Sequence, residues 1–74
     1  MGIMLNSRPV PLTKREKEIV LLICDQFSNN QMASKLGIGI RTVEGHRARI
    51  LKKTKAKNTA GIIIYAIRQK IFKI

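Results

Sequence analysis

Residues 31–54, QMASKLGIGIRTVEGHRARILKKT, decide the fold of this chain. Met32, Ala33 and Leu36 recur at the three-to-four spacing that places side chains on one face of a helix. Gly37-Ile38-Gly39 then breaks the pattern, and a second helical period follows, with Val43, Ile50 and Thr54 on one side and Arg41, Gly45, Ala48 and Lys52 on the other. A short helix, a tight glycine turn and a longer basic helix make a helix-turn-helix, a motif whose second helix lies in the major groove of DNA.

The rest of the composition fits that reading. A chain of 74 residues is one small domain, near the lower size at which enough apolar surface can be buried to fold alone. A deep catalytic cleft is not expected. Hydrophobic residues make up 45% but aromatics only 4%, so the core must come from aliphatic side chains, and the stacking platforms of single-strand binders are nearly absent. Fifteen Lys and Arg against four Asp and Glu give a formal charge of +11, which calls for a polyanionic partner. The single cysteine, Cys24, excludes an internal disulfide and a multi-cysteine zinc site, and its apolar helical setting marks it as core. No apolar run approaches the length needed to span a membrane. The opening Met1-Gly2 lacks the Ser or Thr that myristoylation wants at position 6, which is Asn6. Nothing resembles a cleavable signal, so a cytoplasmic location is expected.

Four helices follow from the pattern, with no β-alternation to compete. Residues 1–11, with Pro9 and Pro11, have no helical period and read as an extended lead-in, either the stump of a linker or the true start of a stand-alone protein. Thr13 and Glu16 form a capping box that starts the first helix, which should end near Gln26. Ser28 and Gln31 repeat the device for a second helix over 29–36. A third runs over about 40–53, and a fourth over about 60–70 with Thr59 as its cap. In the fourth, Ala60, Ile63, Ile64, Ile67 and Ile71 make one apolar face, and Ile62, Tyr65, Ala66 and Gln69 the opposite one. With the first face on the core, the second is left exposed and predicts pairing with another copy, unless the C-terminus wraps over it.

LTKREKEIVLLI, SNNQMASKLGI, RTVEGHRARILKKT and AKNTAGIIIYAI, in that order, closely resemble the LuxR/FixJ-type helix-turn-helix domain, the effector domain of NarL-type response regulators. The resemblance covers residues 12–70, and the domain is set at 12–74. It implies an all-α, four-helix domain that binds double-stranded DNA as a homodimer through its last helix and regulates transcription. A preceding receiver domain of a two-component system and RNA polymerase are the partners it implies, with no cofactor. Carried onto this chain, its base-facing positions are Arg41, Glu44, Gly45 and Ala48, and its backbone-contacting positions are Thr42, His46, Arg49 and Lys52. The outward stripe drawn from spacing shares Arg41, Gly45 and Ala48 with that set. The chain departs from the pattern at Gly39, where a capping Ser or Thr is usual, and at Gln26 and Lys55, where helix-ending glycines are usual.

Each of these residues has a chemistry to offer. The Arg41 guanidinium can make two bonds to guanine O6 and N7, and Ala48 can meet a thymine methyl. Glu44 either accepts from a cytosine amino group or braces Arg41 or Arg47 at a spacing of three. Gly45 costs a mid-helix position about 1 kcal/mol relative to Ala, and close approach of the helix backbone to a groove accounts for it better than internal packing. His46, the only histidine, has no second ligand or nucleophile beside it and suits a hydrogen bond to phosphate or to the turn. Arg47 leans inward, where a helix–helix bond competes with DNA contact. Arg49, Lys52, Lys53, Lys55 and Lys57 form a basic tail suited to phosphates or simply to the negative end of the helix dipole. Nothing in the set constitutes catalytic machinery. Two other classes remain open: a basic peripheral membrane module, and a protein-interaction module without specific DNA binding.

Overall fold

The structure, a computed structural model, describes residues 11–73. Of the expected lead-in over 1–11, residues 1–10 lie outside them. Four helices, and among the described residues no strand, run in order: α1 (Lys14–Cys24), α2 (Asn29–Leu36), α3 (Ile40–Thr54) and α4 (Thr59–Arg68).

Both capping boxes form. Thr13 Oγ1 accepts from the Glu16 N–H at 3.1 Å while Glu16 Oε1 accepts from the Thr13 N–H at 2.8 Å. Ser28 and Gln31 make the same pair of bonds at 3.1 and 2.8 Å. Gly39 opens α3 without a side-chain bond. α4 starts one residue earlier than the sequence suggests, because Asn58 and not Thr59 is its cap, Oδ1 accepting from the Gly61 N–H at 3.0 Å.

All four helices close in one way. A left-handed residue sends its N–H back three residues, and the next residue sends its own back five. The left-handed positions are Gln26, Gly37, Lys55 and Lys70, with φ of 69°, 67°, 59° and 60°. Only one is glycine. The apolar residues that follow them, Phe27, Ile38, Ala56 and Ile71, pack on the core. That contact holds the turn even where a Cβ disfavours the left-handed conformation.

The core is aliphatic. Ile19 and Val20 of α1, Met32 of α2, Val43 and Ile50 of α3, and Ile62 and Ala66 of α4 are fully buried, and Leu12, Leu22, Ile23 and Ala33 complete the cluster. α1 packs on both α3 and α4, and α2 packs on α3.

One expectation is overturned at α4. Ile62 and Ala66, assigned to an exposed pairing face, are 0% exposed and point into the core, whereas Ile64 and Ile67 stand 49% and 37% exposed. Tyr65 is half-buried and Gln69 exposed. A helix that is apolar nearly all round does not declare its rotation by hydrophobicity. Two tethers set it here. Arg47 Nη2 of α3 donates to Thr59 Oγ1 at the start of α4. On the other flank Gly61 lies against the connection, where an added Cβ would stand 2.9 Å from Ala56 Cβ. Both contacts fall in the first turn of α4, in the orientation that buries Ile62 and Ala66.

Candidate nucleic-acid interface

The first turn of α3 follows the Gly37–Gly39 turn, and Val43 and Ile50 fix its inner side. The opposite side is therefore presented outward. Arg41, Thr42, Glu44, Ala48, Arg49 and Lys52 are exposed, and Gly45 and His46 are half-buried. Arg41, Gly45, Ala48 and Lys52 line one strip along the helix, spaced by four, three and four.

Gly45 is the most informative member. A Cβ built there would meet only Arg49 Nη1, at 3.9 Å, which is ordinary contact with the end of a flexible side chain. Nothing inside the domain requires a glycine at this point, although it costs a helix about 1 kcal/mol. The strip thus has a smooth, small-residue centre at Gly45 and Ala48 between the cations Arg41 and Lys52.

The flanks are organised by a buried carboxylate. Glu16 is 2% exposed, and its Oε1 accepts from Lys53 Nζ at 2.8 Å as well as from the Thr13 N–H. Its Oε2 lies 3.9 Å from Arg49 Nε. Burial alone pushes the Glu16 carboxyl up. The bonds from Lys53 and Thr13, with the Lys53 charge, outweigh that and hold it below the usual carboxylate range. Arg49 Nη2 reaches His46 Nδ1 at 3.2 Å, and because a guanidinium only donates, Nδ1 accepts and Nε2 is left as the ring's donor.

These contacts sort the basic residues. Lys53, placed by sequence in the phosphate-facing tail, is bound to Glu16 with its side chain 20% exposed and is a clasp between α1 and α3. Arg47 is a helix–helix tether through Thr59. Glu44 forms no ion pair among the described residues, so the brace to Arg41 or Arg47 is not made. Sequence reasoning missed the second duty of Glu16. The signal was present in the contrast between the two boxes, Glu16 in one and Gln31 in the other, since an uncharged Gln is sufficient for capping.

Elsewhere the surface offers little chemistry. Burial, reinforced by Asp25, pushes the Cys24 thiol up, away from the thiolate that reactivity needs. Among the described residues no cluster of His, Cys, Asp and Glu could hold a metal ion. No helix there is long and apolar enough to cross a membrane. The cavity of about 480 Å³ beside α4 is an open groove between that helix and the α3–α4 connection.

A family model described as bacterial regulatory proteins, luxR family, matches residues 10–66. The chain belongs to the LuxR family. This LuxR-type domain is 37% identical over 60 residues to the oxygen regulatory protein NreC of Staphylococcus carnosus (strain TM300), covering 81% of this chain and 28% of that protein. To NreC of Staphylococcus aureus (strain JH9) it is 36% identical over 62 residues, 84% of this chain and 29% of that protein. Its structure superposes on the crystal structure of ChrA, a response regulator in a heme-sensing two-component system, with a TM-score of 0.82 and 30% identity, over 96% of this chain and 35% of that one. The LuxR-family chain thus spans less than a third of the curated relatives it matches. It is an all-α helix-turn-helix DNA-binding domain, non-enzymatic, and related to response regulators.

Proposed function

We propose that this LuxR-family domain is the DNA-reading effector of a response regulator and controls transcription by seating α3 in the major groove of a specific duplex. Arg41, Glu44, Gly45 and Ala48 face base edges in this reading. Thr42, His46, Arg49 and Lys52 take the sugar-phosphate backbone. The observation that carries it is Gly45, an unforced glycine at the centre of an exposed, basic helix face. Only something that approaches from outside benefits from the missing Cβ. Two copies pair on adjacent half-sites through the outward side of α4, where Ile64 and Ile67 are exposed with Tyr65 and Gln69 at the edge. An upstream receiver domain supplies the signal, and RNA polymerase receives the output.

Arg41→Ala tests the assignment of bases against phosphates. Discrimination between the specific and a scrambled duplex should fall by about 1–3 kcal/mol, with non-specific binding much less affected. Equal losses on both duplexes would make Arg41 a phosphate contact. Lys52→Ala should weaken both duplexes alike and reduce the salt slope by about one.

A further inference from the structure

Four side-chain carboxylates stand against fifteen Lys and Arg in this chain, and three of them lie on or just after α1. Glu16 is buried and holds Lys53. Glu18 pairs with Arg15 at 3.5 Å, and Asp25 ends the helix. The fourth, Glu44, is exposed on α3, beside the strip of Arg41, Gly45 and Ala48.

The cations near Glu44 along α3 are engaged elsewhere. Arg47, three residues on, donates to Thr59, and Arg49 lies against Glu16 and His46. Arg41, three residues back, forms no ion pair with it among the described residues. A carboxylate so placed opposes DNA in general. At roughly 4–8 Å from a phosphate it weakens association about twofold to fivefold on any sequence, through the repulsion of two unit charges in water.

Only a base edge that donates can offset that loss, because an ionised carboxylate accepts hydrogen bonds and donates none. In the major groove guanine presents N7 and O6 and thymine presents O4, acceptors that repel it. Adenine sets the N7 lone pair beside its N6 amino group. Cytosine alone presents a donor, the N4 amino group, with no acceptor beside it. Gly45, the next residue, has no Cβ to hold the helix off, so the Glu44 carboxylate can come to a base edge and not stop at the phosphates.

We infer that Glu44 is the cytosine-selecting residue of α3: its carboxylate accepts from a cytosine N4 amino group in each half-site, rejects guanine and thymine there, and lowers affinity for every other duplex. The inference rests on the seating of α3 proposed above and names one base that it reads. Glu44 stands three residues past Arg41, about 4.5 Å along the helix axis. That exceeds the rise of one base pair, about 3.4 Å, so the two side chains address different pairs.

Selection of duplexes from a random pool, run in parallel with the parent 74-residue chain, Glu44→Ala, Glu44→Gln and Arg41→Ala, tests this. The parent motif should contain a C·G pair that Glu44→Ala leaves free to vary, with discrimination at that pair reduced about fivefold to 150-fold. Glu44→Gln, whose amide both accepts and donates, should change the same pair to A·T. Both Glu44 variants should bind a scrambled duplex about twofold to fivefold more tightly than the parent at low salt. Both should keep the parent's Tm within about 4 °C, since the side chain is exposed. A parent motif that both variants reproduce would overturn the inference and leave α3 as the reader. Adenine at the Glu44-dependent position of the parent motif, or weaker binding of the variants to the scrambled duplex, would overturn it as well. Relaxation at the pair that Arg41→Ala relaxes would do the same, by making Glu44 a brace for that arginine. No motif from the parent would remove the seating of α3 and the inference with it.

Discussion

Replacing Gly45 with alanine separates what the fold needs from what the target needs. The only atom an added Cβ would meet is Arg49 Nη1 at 3.9 Å, so the folded state accepts the methyl group without rearrangement. The helix then gains the full difference in propensity, about 0.8–1.0 kcal/mol. For a domain of this size that corresponds to a rise in Tm of about 4–8 °C, measurable by circular dichroism with heating. DNA binding should move the other way. A methyl group on the strip between Arg41 and Ala48 holds the helix backbone off the groove floor and weakens the contacts on either side. The loss should equal that of one good base contact, about 1–3 kcal/mol, or roughly fivefold to 150-fold in Kd by fluorescence anisotropy on the specific duplex. A variant that is stabler but binds worse is the expected pair of results. If Gly45→Ala lowered Tm, the glycine would have an internal role. If it raised Tm and left affinity unchanged, no surface would approach this face closely and α3 would not be the reading helix.

Other perturbations test the fold that presents α3. Glu16→Gln keeps an acceptor for the Thr13 N–H, as Gln31 does in the second box, but removes the charge that holds Lys53; urea titration at pH 7 should find it less stable by about 1–2 kcal/mol, the difference between a charged and a neutral hydrogen bond. The folded-state pKa of Glu16 is depressed, so its contribution is fully present above the unfolded value of about 4.3 and is lost as pH falls through the folded value. Parent and variant should therefore converge in acid, and a gap that persisted at about pH 2 would refute the ion pair as its source. Gln26→Gly and Lys55→Gly relieve left-handed side chains at φ of 69° and 59°, and each should stabilise the domain by about 0.5–1 kcal/mol, additively because the two turns are separate; no gain would mean that the turns carry no strain. Ile62→Glu should abolish cooperative unfolding because it buries an unpaired charge, whereas Ile64→Lys should leave the helical spectrum and Tm unchanged within about 0.5 kcal/mol of stability. The reverse outcome would restore the original rotation of α4.

What the sequence made legible follows from where local rules were sufficient. Ser28 with Gln31 and the Gly37 turn bound α2 at the residues where the structure places it, because both ends carry their own hydrogen-bonding chemistry. Val43 and Ile50 declared the inner side of α3 because polar residues surround them, and the outward strip followed by geometry. α4 carries no such contrast. With isoleucine at three successive positions, its rotation came from Arg47 reaching Thr59 and from the close approach of Gly61 to Ala56, which are contacts between elements that periodicity does not record. The same holds for Lys53: among five basic residues in a row of nine its identity gives no hint that it faces a buried carboxylate on α1. Local capping and amphipathic contrast are written along the chain, and tertiary hydrogen bonds are not.

What α3 does with DNA is the most direct test of its role as a reader. Duplexes should be selected by this chain from a random pool, at near-physiological salt and with excess competitor DNA, then sequenced. A two-fold symmetric motif should emerge, with its half-site degraded by Arg41→Ala and its recovery lost with Gly45→Ala. Recovery of no motif, with binding that depends on salt but not on sequence, would contradict the assignment of α3 as a sequence reader.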